Sequence, residues 1–410
     1  MTSAQTSPRA KTKWAIIGAY GLSVLGDELA IITLMLRARQ SAHAGWVVSG
    51  VLVAAFLPVV IAGPLLAPLI DRLSRSTLIR VVSLGQATVA ALLVHHTAPI
   101  FTLLLMTLLS IGTAVVTPTL LAVIPDLYGE SAAVRGYGQL EAARNVGIVV
   151  GPALAGLLFA AGGGSAALVI DALTFVIIAL ASFFVPTDEV GDALAATGWW
   201  RSIREGSSVI LVNPQIRSGV LALFGAVLFS SLANTALVFY VSDVLRAPSS
   251  SYGWLITAQA FGSVLVASRL FQPMLRVGHT RLLFMATLVL AVSRLALGAI
   301  SIFAVAVAAC VIAGACVTAQ NLALRDLVKT NVPSQGRGRA FAAVGSLLTS
   351  ANIGGTATGG PLATTLGASH TLLLSGIGTG LAALAAAPRL FTIRHSVPYF
   401  IRSEIELPER

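Results

Sequence analysis

A few ionisable side chains in this sequence lie inside or at the ends of long apolar runs, and these are the ones placed to do chemistry. Asp27 and Glu28 sit near the middle of the first run, Asp171 and Arg294 inside two others, and Glu141 and Arg144 at one end of a further run. A charge in a hydrocarbon layer is costly, so each of these groups needs a partner or a use. Adjacent residues on a helix point about 100° apart. Asp27 and Glu28 are therefore expected to face different sides. Tyr20 and Ser23 share the face of Asp27, and Ile31 and Leu34 continue it. Gly21, Leu25, Ile32 and Met35 surround Glu28. Asp27 thus reads as a carboxylate that takes up a proton on one side of a membrane and releases it on the other, or as a structural hydrogen-bonding group; Glu28 is the second candidate. Glu141 and Arg144, three apart, can pair with each other. Asn234, Gln320 and Asn321 are amides that either contact a substrate or join helices.

Other chemistries find little support. Cys310 and Cys316 share one apolar run and do not face each other on a helix. His95-His96 is an isolated pair at a loop. The sequence shows no metal-ligand spacing, no cofactor motif and no phosphate-binding glycine loop. An intramembrane aspartyl protease would need Asp27 and Asp171 to converge, in a glycine context that Leu25-Gly26-Asp27 lacks. No enzyme and no catalytic residue is expected. The formal charge of +10 suggests nucleic acid. Lys and Arg are instead scattered between apolar runs, without a dense patch of interleaved aromatics, so nucleic acid is not an expected partner.

The elements that must position these groups are membrane helices. Of the 410 residues 56% are apolar and 10% charged, with a mean hydropathy of +0.88; soluble domains carry about 25% charged residues. Runs at 14–36, 45–70, 79–97, 99–123, 138–160, 165–185, 218–240, 251–275, 281–300, 302–324, 340–366 and 369–388 approach the roughly 20 residues that cross a bilayer. The expected fold is all-α, with twelve transmembrane helices in two six-helix halves at 14–185 and 218–388. Residues 1–13 and 389–410 are polar ends. The first run is too long for the core of a signal peptide. The stretch 186–217, with Trp199-Trp200 and Arg201, reads as a linker with an amphipathic helix at the membrane surface. With the N-terminus in the cytoplasm, the inner segments collect most cations, and the outer loops hold only Arg37, Arg39 and Arg246. That bias predicts a multi-pass protein of the cell membrane with both termini cytoplasmic.

One small-residue pattern occurs twice: Gly147, Gly151, Pro152 and Gly156 in the fifth run, then Gly355, Gly359, Gly360 and Pro361 in the eleventh. Small residues four apart let helix backbones approach closely. A duplicated seam points to two halves that move against each other. With Gly63-Pro64 to Arg75 after the second run, and with Leu25-Gly26-Asp27 and Asp171-Ala-Leu-Thr174-Phe175, the chain resembles the major facilitator superfamily. Within it, the chain is most similar to drug-efflux antiporters of the macrolide and siderophore exporter subgroup.

The resemblance implies that helices one, four, seven and ten line a central cavity, that two, five, eight and eleven form the seam, and that the rest are peripheral. It implies a cytoplasmic gate of Asp71, Arg72 and Arg75, with Asp71 near Arg339. It also implies export of small amphipathic molecules by proton antiport, from a monomer in a lipid bilayer; Na⁺ coupling, a siderophore exporter and an uptake symporter are the alternatives. Departures include Ala67 in the loop motif and the lack of a fourth-helix arginine of the kind associated with proton coupling.

Overall fold

The computed structural model describes residues 8–70, 74–95, 98–129, 132–185, 214–270, 273–274, 276–332 and 334–392. They form twelve long helices: α1 Pro8–Arg39, α2 Ala44–Ile70, α3 Arg75–His95, α4 Pro99–Tyr128, α5 Ala133–Gly162, α6 Ser165–Ala181, α7 Pro214–Phe239, α8 Ser250–Leu265, α9 His279–Ala299, α10 Phe303–Asn331, α11 Ser334–Thr365 and α12 Ala368–Thr392. Number and order agree with the apolar runs. Ten are long and apolar enough to cross a bilayer by themselves. The other two are α8, whose end loosens into a wider turn over Val266–Leu270, and α11, rich in Gly, Ser and Thr. Large apolar side chains such as Val81, Phe101, Leu180 and Phe184 stay exposed on the outside of the bundle, as lipid contact requires.

The two halves pack alike. In the first, α1 lies on α5 and α6, α2 on α4, and α3 on α4 and α6; in the second, α7 lies on α11 and α12, α8 on α10, and α9 on α10 and α12. The halves meet chiefly through α2 against α11 and α5 against α8.

The repeated glycines explain this arrangement, and they divide the work in a way the seam reading did not anticipate. Gly147 and Gly151 face α1 within their own half, against Gly21, Leu25 and Glu28. Gly355 and Gly359 face α7 in the same manner, against Leu228, Ser231, Leu232 and Thr235. The contacts between halves fall on Gly156, which meets Ser250 and Gly253 of α8, and on Gly360, which meets Gly45 and Ser49 of α2. Gly253 in turn lies on the Pro152 carbonyl. Two hydroxyls seal the crossings: Ser49 donates to the Thr356 carbonyl at 2.7 Å and Thr257 to the Val149 carbonyl at 2.8 Å. The glycine pattern is therefore as much the packing surface inside each half as the seam between them.

At the end where α1 finishes, two arginines act differently. Arg37 donates to the carbonyls of Leu93 and Gly163 and to the Ser165 hydroxyl, all in its own half. Arg39 reaches across to Asp243 and Ser242, with its guanidinium 5.1 Å from the Phe239 ring.

Candidate functional site

Each half encloses a cavity, and the helices bring most of the ionisable and amide candidates to these two walls. The cavity of the N-terminal half holds about 420 Å³. Tyr20, Ser23, Asp27 and Glu28 of α1 line it, together with Ser110, Thr113 and Thr117 of α4 and Arg144 of α5. Both acids reach the cavity, against the expectation that only one could. The wall formed by α1 is an arc wider than the 100° between neighbours, running from Tyr20 to Ile31. Glu28 also has room because the residue beneath its Cβ is Gly151, which has no side chain to displace it.

Behind Asp27, Asp171 of α6 is fully buried, and neither carboxylate oxygen has a hydrogen-bond partner. Its helix was expected to be peripheral; the side chain nonetheless points at α1. Gly26 makes that approach possible, since a Cβ there would meet Asp171 and the Thr174 hydroxyl. The two short motifs Leu25-Gly26-Asp27 and Asp171 to Thr174 are thus one packing unit. Glu141 and Arg144 form the expected pair at 3.0 Å, both partly exposed. Arg144 faces the cavity as well, which places a cation on this wall from α5 where α4 supplies none.

The cavity of the C-terminal half holds about 290 Å³. Asn234 of α7 and Gln320 and Asn321 of α10 line it, as do Gln259, Asn352 and Ser231, which sequence reasoning missed. No charged side chain does so among the described residues. Its polar groups are held from behind. Ser231 donates to Oδ1 of the Asn352 side chain at 2.7 Å and Gln320 to the Thr287 hydroxyl at 2.8 Å. Arg294 of α9, 1% exposed, donates to Oδ1 of Asn234 at 3.1 Å and lies 3.5 Å from the Ser230 hydroxyl. The helix of Arg294 was also expected to be peripheral. Only a pattern of polar residues at helical spacing on α7, Ser230, Ser231 and Asn234, could have hinted at this wall.

The two walls are related position by position. Gly151 rests on the Leu25 carbonyl and the Cβ of Glu28; Gly359 rests on the Leu232 backbone and the Cβ of Thr235. Glu28 and Thr235 therefore correspond, and so do the residues just before them, Asp27 and Asn234.

Of the gate residues, Asp71 and Arg72 lie outside the described residues, as does most of the 186–217 stretch, and the side chain of Arg339 is not described. Arg75 bonds the Asp126 carboxylate and the Ala122 carbonyl, both on α4.

A family model described as Major Facilitator Superfamily matches residues 16–245. An uncharacterized MFS-type transporter, YfiS of Bacillus subtilis (strain 168), is 26% identical over 372 residues, 88% of this chain and 89% of that protein. Macrolide efflux protein A of Streptococcus pyogenes is 24% identical over 209 residues, 49% of this chain and 51% of that one. Among solved structures, the nucleoside transporter NupG matches with a TM-score of 0.71 at 16% identity, over 93% of this chain and 100% of that chain. A bacterial homolog of the human lysosomal transporter Spinster, inward-facing and occupied, matches with a TM-score of 0.69 at 16% identity, over 95% of this chain and 97% of that chain. At such identities these two structures speak for the fold alone.

Proposed function

Because the chain belongs to the Major Facilitator Superfamily, we propose that this transporter exports small amphipathic organic molecules, drugs or natural products, in exchange for protons. The observation that carries this reading is the pair of acids on one cavity wall, Asp27 and Glu28, facing neutral hydroxyls of α4. A carboxylate in a membrane cavity is costly as an anion. A proton or an organic cation removes that cost, so the two compete for one place. Binding of a proton from outside expels the organic molecule, and release of the proton inside readies the wall for the next. The similarity to macrolide efflux protein A over about half of each chain supports export over uptake.

In this reading α1 runs outward from the cytoplasm, following the cation bias. The Arg39 end is then the outer end, and the Arg39 bridge and the Gly360 contact with α2 close it. The halves rock about α2–α11 and α5–α8, opening the cavities alternately to each side.

A drug-susceptibility panel in an efflux-deficient host, with and without the chain, tests export. Everted vesicles from the same cells test coupling, since an added substrate should dissipate an imposed pH gradient. A host that gains no resistance, or a gradient that no substrate disturbs, sinks the reading. Orientation is checked separately. A cysteine replacing the exposed Ser301 should react with an impermeant thiol reagent in intact cells, and one replacing Val277 should not; the reverse pattern overturns it.

A further inference from the structure

Arg294 is the largest fully buried side chain among the described residues. Its Nε and Nη1 have no partner, and no acid pairs with it among the described residues. It does not line the cavity either. A guanidinium in such a place is too costly to be filler, and its nearer partner is the amide of Asn234, at 3.1 Å against 3.5 Å for the Ser230 hydroxyl. The direction of that bond is not a choice of assignment. Arginine can only donate, so the amide oxygen must point at Arg294. The Nδ2 group is left as the free end of a side chain that lines the cavity.

A second amide is fixed by the same kind of logic. The one proton of the Thr287 hydroxyl goes to the Leu283 carbonyl at 2.7 Å. Thr287 must therefore accept from Nε2 of Gln320, at 2.8 Å, which leaves Oε1 of Gln320 free.

We propose that Arg294 is a positioning residue that turns Asn234 so that its NH₂ faces the C-terminal cavity, making this wall a hydrogen-bond donor for a carbonyl, ester or ether oxygen of the transported molecule. This rests on the export reading above and sharpens its substrate class. The molecule carries an amine or other cationic group toward Asp27 and Glu28, and acceptor oxygens toward Asn234. A neighbouring hydroxyl on it would meet Oε1 of Gln320. The amide at 234 matters because the corresponding residue of the other half is an acid: the same place on the helix attracts a cation in one half and an oxygen in the other.

The test uses purified full-length protein and two probes. Erythromycin carries an amine and many acceptor oxygens; tetraphenylphosphonium is a cation with none. Asn234→Asp keeps an oxygen for Arg294 and gives it a counter-ion, but replaces the donor by an acceptor. Its melting temperature should hold or rise. Erythromycin binding should weaken at least about tenfold, from loss of a hydrogen bond and repulsion between two acceptors. Tetraphenylphosphonium binding should hold or tighten. Arg294→Met, which cannot donate, should weaken erythromycin selectively too, and Arg294→Lys, which still donates, should recover part of the loss.

A lower melting temperature for Asn234→Asp overturns the Arg294–Asn234 contact. Unchanged erythromycin binding, or equal loss of both probes, overturns the donor role. If the wild type binds neither probe, the proposed substrate class and the substrate-facing role of Asn234 fail, while the resistance panel still decides export and the melting comparison still decides whether Arg294 holds Asn234.

Discussion

In the N-terminal half, Gly151 of α5 lies under Glu28, and the residue before it on α1 is Asp27; in the C-terminal half, Gly359 of α11 lies under Thr235, and the residue before it on α7 is Asn234. The scaffolds correspond, down to the glycines that let the helices touch. The chemistry they carry does not. One cavity is lined by two acids, with a third, Asp171, buried behind them. The other is lined by neutral amides, with an arginine behind them. A duplicated fold needs its packing twice but its coupling chemistry once. Small residues at the close approaches are held in both copies by sterics, whereas the cavity side chains are free to diverge. In the antiport proposed above, protons and cations would be handled in one half, and hydrogen-bonding groups in the other.

The largest effect should come from erasing that contrast. Asp27→Asn makes the first half resemble the second at the corresponding cavity pair that differs in charge. Uphill efflux driven by a pH gradient should fall to the level of vesicles lacking the protein. Downhill exchange of a neutral substrate should remain measurable, because the cavity keeps its shape. Glu28→Gln should lose less, since Arg144 already places a cation on the same wall. A wild-type pH dependence in Asp27→Asn, with Glu28→Gln inactive, would exchange the two roles. Loss of neither would move coupling to Glu141 and Arg144.

A smaller effect, and one that sharpens the comparison, should follow from filling the two equivalent glycines. Overpacking a close helix contact costs roughly 1–3 kcal/mol. Gly151→Leu would push on Glu28, and Gly359→Leu on Thr235 next to Asn234. Both should still reach the membrane. Gly151→Leu should abolish uphill transport. Gly359→Leu should chiefly raise the substrate concentration needed for half-maximal transport while leaving the coupled proton movement intact. If the two variants fail identically, the halves do not divide the work.

Much of this architecture was legible before any coordinates. Twelve apolar runs become twelve helices because hydrocarbon leaves the backbone no other way to bond. The repeated glycines mark the close approaches for the same steric reason in both halves. What stayed hidden was direction. Whether Gly151 faces α1 or the other half depends on the rotation of α5 about its axis, which an apolar run with lipid on one side and protein on the other does not encode. Asp171 and Arg294 looked peripheral because their helices are. Each side chain nonetheless turns inward, to Gly26 and to Asn234, across sequence separations that no local pattern spans. Arg37 and Arg39, two of the few exceptions to the cation bias, turn out to have structural partners.

The smallest effect belongs to the place where the halves touch through charge. Arg39 and Asp243 join the end of α1 to the turn that follows α7, and their side chains are 32% and 47% exposed. An exposed ion pair contributes about 0.5 kcal/mol, so its loss should shift an opening equilibrium only about twofold. Salt should produce the same change in the wild type, because mobile ions screen surface charges. The hollow beside the pair, lined by Leu36, Ser249 and Tyr252, gives a place to read it. A cysteine at Ser249 should be labelled about twofold faster in Arg39→Gln than in the parent, and added salt should raise the parent toward the variant. Arg37→Gln serves as the internal control. Its three partners lie in its own half, so it should lower thermal stability without changing that labelling rate. If Arg37→Gln speeds labelling and Arg39→Gln does not, the closure at this end is a matter of how α1 is anchored within its own half, and the bridge between the halves is incidental.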